Sequence, residues 1–257
     1  MDLGIEGRTA LVAAATGGLG LATAAALAAE GARVVLFGRD EERAAAAAAG
    51  LPAAVGLTAD LTDPDAPRRV VQACESRYGP VDILVLNSGG PPMAAATETT
   101  EEQLAAAHEL LLLSAHRLLT LVLPGMRRRG WGRVVAIGSS GVEEPLPGLA
   151  LSNTYRAGLA GLLKTVAGEV AADGVTVNLL LPGRIATQRV ASLDRAAAAR
   201  TGRTPEEVAA ASRGKIPAGR YGRPEEFAAV AAFLCGEPAS FVTGSRIRVD
   251  GGLIAGH

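Results

Sequence analysis

A chain of 257 residues is long enough to bury a substantial core in one α/β domain, and its net charge of −1 offers no electrostatic case for nucleic acid or a membrane surface. Apolar residues make up 49% and charged residues 20%, an ordinary globular balance, while aromatics at 3% are too scarce for the stacking platforms of single-strand binders. Cys74 and Cys235 lie far apart and in no metal-ligand or CxxC spacing, which implies a reduced pair and no metal site.

In chain order, the N-terminus carries Asp2 and Glu6 where a signal peptide would carry basic charge, and no window holds about 18 uninterrupted apolar residues. The expectation is a soluble, cytoplasmic protein that binds no membrane. Short apolar or β-branched runs predict strands at Thr9–Ala14, Arg33–Phe37, Ala53–Leu57, Ile83–Asn87, Arg133–Ile137, Thr176–Leu181 and Arg246–Val249. Alanine- and leucine-rich runs between them predict helices at Leu19–Glu30, Glu41–Ala49, Asp65–Tyr78, Gln103–Arg129, Leu151–Ala172 and Pro224–Leu234. Several strands are continuous apolar runs, as strands covered on both faces require. The pattern predicts a single-domain, Rossmann-type α/β fold: a doubly wound parallel sheet of about seven strands with helices on both faces, its ligand beyond the strands' carboxyl ends. Residues 187–221 interrupt the rhythm with helical patterns at Ser192–Thr201 and Pro205–Arg213, either a substrate lid or a packed surface excursion.

The first strand runs into Ala13-Ala14-Ala15-Thr16-Gly17-Gly18-Leu19-Gly20, and a helix follows at once. Backbone amides around Thr16, Gly18, Leu19 and Gly20 can approach a pyrophosphate there, helped by the partial positive charge of the helix N-terminus. Such a turn also uses glycine for φ > 0 alone, so its context carries the argument.

That context resembles the short-chain dehydrogenase/reductase family. The turn resembles the family's TGxxxGxG loop, with Ala14 in place of the first glycine. Ala59-Asp60-Leu61-Thr62-Asp63 resembles its adenine-contacting acidic segment, and Asn87-Ser88-Gly89-Gly90 its NNAG strand end. Val177-Asn178 through Pro182-Gly183, with Thr187 four residues on, resembles the VNxxxPGxxxT segment beside the nicotinamide. Gly222-Arg223-Pro224-Glu225-Glu226 and Val249-Asp250-Gly251-Gly252 complete a likeness spanning nearly the whole chain, nearest the 3-oxoacyl-[acyl-carrier-protein] reductase branch. The resemblance implies dinucleotide contacts at Thr16, Gly18, Leu19, Gly20, Arg39, Asp60, Leu61, Asn87, Gly89, Pro182, Gly183 and Ile185. An acidic residue at 39 would pair with the ribose of NAD. Arg39 instead suits the 2′-phosphate, so NADP(H) is favoured over NAD(H), unless Arg39 merely pairs with Asp40 or Glu42 at the surface.

The resemblance also implies a Ser that holds the substrate oxygen, a Tyr that gives the proton, a Lys four residues later, and an upstream helical Asn. Gly138-Ser139-Ser140 supplies the Ser. The family's spacing then lands on Ser152 and Arg156 in place of Tyr and Lys, and Gly161-Leu162-Leu163-Lys164, matching the family's GLTK, gives the same register. The Asn position falls on Leu111. An aliphatic hydroxyl is a far weaker acid than a phenol, and a planar guanidinium does not replace a compact ammonium. Loss of a positioned acid typically forfeits about 10²–10⁴ in rate. Tyr155 lies three residues past Ser152, roughly 60° around the helix and about 4.5 Å along it, either a displaced acid or packing material on the helix flank. The catalytic candidates are therefore Ser139, Ser152, Arg156 and Tyr155, with no metal. The expected function is an NAD(P)-dependent oxidoreductase of a small carbonyl or alcohol by an altered proton route. A catalytically impaired dinucleotide-binding or regulatory protein, and a non-redox lyase or isomerase, stand as alternatives. A homotetramer built on the two long helices is implied by resemblance.

Overall fold

Strands and helices alternate through a computed structural model that describes residues 1–256. The strands are β1 (Thr9–Val12), β2 (Arg33–Gly38), β3 (Ala54–Thr58), β4 (Ile83–Leu86), β5 (Gly132–Ile137), β6 (Val175–Pro182) and β7 (Arg246–Val249). All pair in parallel, in the order β3-β2-β1-β4-β5-β6-β7. The order reverses between β1 and β4, the position where a doubly wound sheet opens a crevice at its carboxyl edge. The helices are α1 (Gly18–Ala29), α2 (Glu41–Ala49), α3 (Ala66–Tyr78), α4 (Glu101–His108), α5 (Ser114–Arg129), α6 (Ala150–Val170), α7 (Gln188–Thr201), α8 (Pro205–Arg213) and α9 (Pro224–Cys235).

Alternation along the buried strands sorts the core into two layers. Leu11, Val35, Phe37, Leu84, Val134 and Val177 face α3, α5 and α6, where Val70, Cys74, Leu118, Met126, Leu159 and Leu163 meet them. Their neighbours Val12, Val34, Leu36, Ile83, Val135 and Leu180 face α1 and α9 through Leu27, Phe227, Ala231 and Leu234. Each fully buried Val, Leu, Ile, Phe or Met among them stabilises the fold by about 1.5–3 kcal/mol. Both cysteines are free and lie inside these layers, and burial pushes each thiol up to about 12.

Most boundaries shift by one or two residues from the sequence expectation, and four differences have a local cause. β1 ends at Val12, two residues early, because Ala14 takes a left-handed φ of 46° that no strand accommodates. Ala53, at φ 45°, likewise lies outside β3. The long helix expected over Gln103–Arg129 is α4 and α5 joined by a π-helical turn at Glu109–Leu113. α7 begins at Gln188, earlier than Ser192, because Thr187 caps it by accepting from the Val190 amide. The combined run Glu101–Arg129 is also, by length and averaged composition, apolar enough to cross a membrane, although no uninterrupted apolar run showed it. In this fold Leu111, Leu118, Leu119, Val122 and Met126 along it are buried, while Leu104 is exposed.

Candidate active site

The β1–α1 turn is held from three sides. Ala13 and Ala15 donate to the Val85 and Phe37 carbonyls (both 3.0 Å), and Asn87 Nδ2 donates to the Ala14 carbonyl (3.0 Å). Gly20 is needed for packing: a Cβ there would lie 2.7 Å from the Ala14 oxygen and 2.8 Å from Asn87 Nδ2. Gly17 caps α1 with no side chain, and no acidic residue stands in the first turn. The leading amides of α1 are thus left to an outside acceptor, the arrangement that binds phosphate oxygens. Thr187 closes the opposite side, its Cγ2 3.8 Å from where a Cβ on Gly18 would stand. Over Gly89 there is open space, since a Cβ there meets nothing within 4 Å. These features fit a dinucleotide.

The other expected contacts fall around the same crevice. Thr16 packs onto Gly38 at the end of β2. Asp60 Oδ1 accepts from the amide and hydroxyl of Thr62 (2.9 and 2.8 Å), which fixes the turn after β3, and Leu61 is buried beneath it. Pro182 ends β6, Gly183 donates to the Val249 carbonyl (3.0 Å), and buried Ile185 bridges to Gly222. Arg39 is exposed. Asp40 caps α2 by accepting from the Arg43 amide (2.9 Å), and neither Asp40 nor Glu42 pairs with Arg39 among the described residues. Sequence reading missed Arg43, whose guanidinium Nη2 stands 3.5 Å from the Cβ position of Gly17. Its four-residue spacing from Arg39, one turn into α2, was the available signal.

At the end of β5, Ser139 caps a short 3₁₀ turn, its Oγ accepting from the Gly141 amide (3.1 Å). One turn apart on α6, Ser152 and Arg156 are both buried, and Arg156 Nε donates to Ser152 Oγ (3.3 Å). Arg156 Nη1 donates to the carbonyls of Ile137 (2.9 Å) and Gly138 (3.3 Å), pinning the guanidinium under the loop that carries Ser139. Burial pulls Arg156 down to about 10, and repulsion from Arg189 adds to the fall. Leu111 lies on the π-helical turn, 2% exposed. With Arg156, Asn87, Ser88 and Ser114 it lines a cavity of about 10 Å³, room for one water molecule. Tyr155 is half-buried, its ring centred 5.5 Å from that of His108 on α4. Above the site, Ala94 donates to the Gly148 carbonyl (3.0 Å), joining the two loops that frame it, while Arg189 donates to the Pro91 carbonyl (3.4 Å) from the first turn of α7.

A family model described as enoyl-(acyl carrier protein) reductase matches residues 13–254. The chain belongs to the short-chain dehydrogenase/reductase family. Within that family it is 34% identical to the 3-oxoacyl-[acyl-carrier-protein] reductase FabG of Escherichia coli over 252 residues, covering 98% of this chain and 99% of that one. The structure of L-sorbose reductase from Gluconobacter frateurii, complexed with NADPH and L-sorbose, is similar with a TM-score of 0.95 and 32% identity over the whole of both chains. A variant of actinorhodin polyketide ketoreductase with NADPH gives a TM-score of 0.91 and 35% identity, covering 96% of this chain and 97% of that one. These relatives are reductases, and the two solved structures contain NADPH.

Proposed function

We propose that this short-chain dehydrogenase/reductase uses NADPH to reduce a small carbonyl compound by a proton route that does not run through a phenol. The reading rests on the uncapped amides of α1, with Arg43 beside Gly17 and Arg39 exposed just after β2, neither in an ion pair among the described residues. Those cations suit a 2′-phosphate, and the relatives with NADPH point the same way. When bound, the dinucleotide supplies a hydride to the carbonyl carbon.

The chain's own groups would do the rest. Ser139 and Ser152 hold the substrate oxygen by hydrogen bonds. Because Arg156 Nε donates to Ser152 Oγ, the hydroxyl proton of Ser152 is free to point at that oxygen, and the buried positive charge behind it stabilises developing alkoxide. The Arg156 side chain also lines the water-sized cavity, and water from solvent supplies the proton that converts the alkoxide to the alcohol. Tyr155, stacked near His108, serves packing and is not the acid. Residues 187–221 act as a lid, and the homotetramer expected from the family places the α4–α5 run and α6 at subunit contacts.

Calorimetry tests the cofactor reading. NADPH should bind more tightly than NADH, and Arg39→Ala with Arg43→Ala should remove about 1–3 kcal/mol from NADPH binding while leaving NADH nearly unchanged. Equal losses for both nucleotides, or no heat with either, would contradict it. Carbonyl reduction should survive Tyr155→Phe and fall by at least about tenfold in Ser152→Ala. A second reading, a dinucleotide-binding protein without turnover, is favoured by the commitment of Arg156 Nη1 to the β5 carbonyls. Binding without any NADPH oxidation across carbonyl substrates would select it.

A further inference from the structure

Residues 138–149 lead from the end of β5 back into α6, and the first two turns of that helix hold the loop at both ends. Arg156 takes the near end through the Ile137 and Gly138 carbonyls. Asn153, immediately after Ser152, takes the far end. Its Oδ1 accepts from the Leu146 amide (3.3 Å) and its Nδ2 donates to the Leu146 carbonyl (2.9 Å). A carboxamide supplies acceptor and donor from one short planar group, as a neighbouring strand edge would.

The same carboxamide meets Ser139 across Gly141. A Cβ on Gly141 would stand 2.5 Å from Asn153 Oδ1 and 3.3 Å from Ser139 Oγ, so a larger residue there would push the carboxamide off Leu146. Gly141 in turn donates its amide to Ser139 Oγ (3.1 Å), which occupies a lone pair of that hydroxyl and leaves its hydrogen for the substrate oxygen. The Asn153–Leu146 contact joins residues only seven positions apart, so it ties no distant parts of the chain together. What it fixes is the shape of one loop. That loop is also a wall of the crevice: Ala94 donates to the Gly148 carbonyl (3.0 Å), Ala150 donates to the Ala94 carbonyl (3.3 Å), and Met93 Cε lies 3.6 Å from the Cβ position of Gly148.

We propose that Asn153 is a positioning residue for carbonyl reduction: it holds the loop after β5 so that Gly141 keeps its bond to Ser139 and the Ser139 hydroxyl stays aimed at the substrate oxygen. This deepens the reductase reading above and rests on it for the reaction, while the hold on the loop is a property of the protein without turnover. Asn153 acts through Ser139, not on the reacting atoms.

Two readouts test it. On the intact protein without ligand, hydrogen exchange should show the Gly141 amide opening about tenfold faster in Asn153→Ala, together with that of Leu146, while amides of β5 and β6 keep their rates. In NADPH-dependent reduction of ethyl acetoacetate, Asn153→Ala should lower kcat about 10- to 100-fold with NADPH affinity and the urea midpoint nearly unchanged. Asn153→Asp, which at neutral pH keeps the acceptor toward the Leu146 amide and loses the donor, should fall between. Because the effect runs through Ser139, Asn153→Ala should cost less than about twofold more once Ser139 is already alanine. Equal losses in the two backgrounds overturn the proposal, as does acceleration at Leu146 alone with Gly141 unmoved, or a loss of urea stability that matches the loss of rate. If the unaltered protein oxidises no NADPH with this ester, that failure belongs to the reductase reading, and the hold on Ser139 stands or falls on the exchange of Gly141.

Discussion

At the scale of single residues, Ala14 carries a visible strain. Its φ of 46° lies in the left-handed region, which costs an L-residue with a Cβ about 1–2 kcal/mol. The turn tolerates it because Asn87 and the strand ends over-determine the backbone. Ala14→Gly should raise stability by about 0.5–1 kcal/mol in urea denaturation after the entropy cost of glycine is deducted; no gain would mean the turn relaxes around the alanine. The replacement of the family's glycine by Ala14 was legible in the sequence. That the backbone stays left-handed in spite of it was not, because φ follows from the hydrogen bonds of Asn87, Val85 and Phe37. Arg43 and Arg189 were missed for a similar reason. Apart from the spacing of Arg43 from Arg39, the place of each depends on a glycine on another segment, Gly17 or Gly90.

Among the elements, α7 is the one whose placement depends on a few polar contacts. Buried Asp194 accepts from Arg184 Nη1 (3.1 Å) and from the Tyr221 hydroxyl (2.9 Å), tying α7 to the loops on either side of the lid segment. Burial raises the Tyr221 pKa, and the Asp194 carboxylate adds to the rise, so the phenol stays protonated and donating. Asp194→Ala should leave the sheet intact but release this segment, costing about 1–2 kcal/mol given the partial exposure of Arg184. Hydrogen exchange should show amides of α7 opening faster than those of β5 and β6; uniform acceleration would show instead that the contact supports the whole fold. The seven strands and most helices could be read from periodicity, because apolar runs covered on both faces leave little choice of structure. The π-helical turn at Glu109–Leu113 could not, since an extra residue in one turn leaves the apolar pattern of α4 and α5 nearly unchanged.

For the molecule as a whole, acid stability turns on carboxylates held below their ordinary range. Glu226 is held down to about 2, chiefly by the Arg220 guanidinium (2.7 and 2.8 Å) and then by the Arg223 amide at the start of α9 (2.7 Å). An unfolded glutamate takes up its proton near 4.5, so between about pH 4.5 and 2 the unfolded chain binds more protons and stability falls as pH falls. Glu226→Gln should flatten that part of the stability–pH curve without changing its slope above pH 5, as followed by urea midpoints; an unchanged acid limb would assign the loss to other carboxylates. One further consequence belongs to the first turn of α7, where Thr187 sits over Gly18 and Arg189 over Gly90 within three residues. One stretch of backbone thus touches the start of α1 and the loop after β4. Whatever affinity change an occupant on one side transmits through that turn is returned by the same factor from the other side.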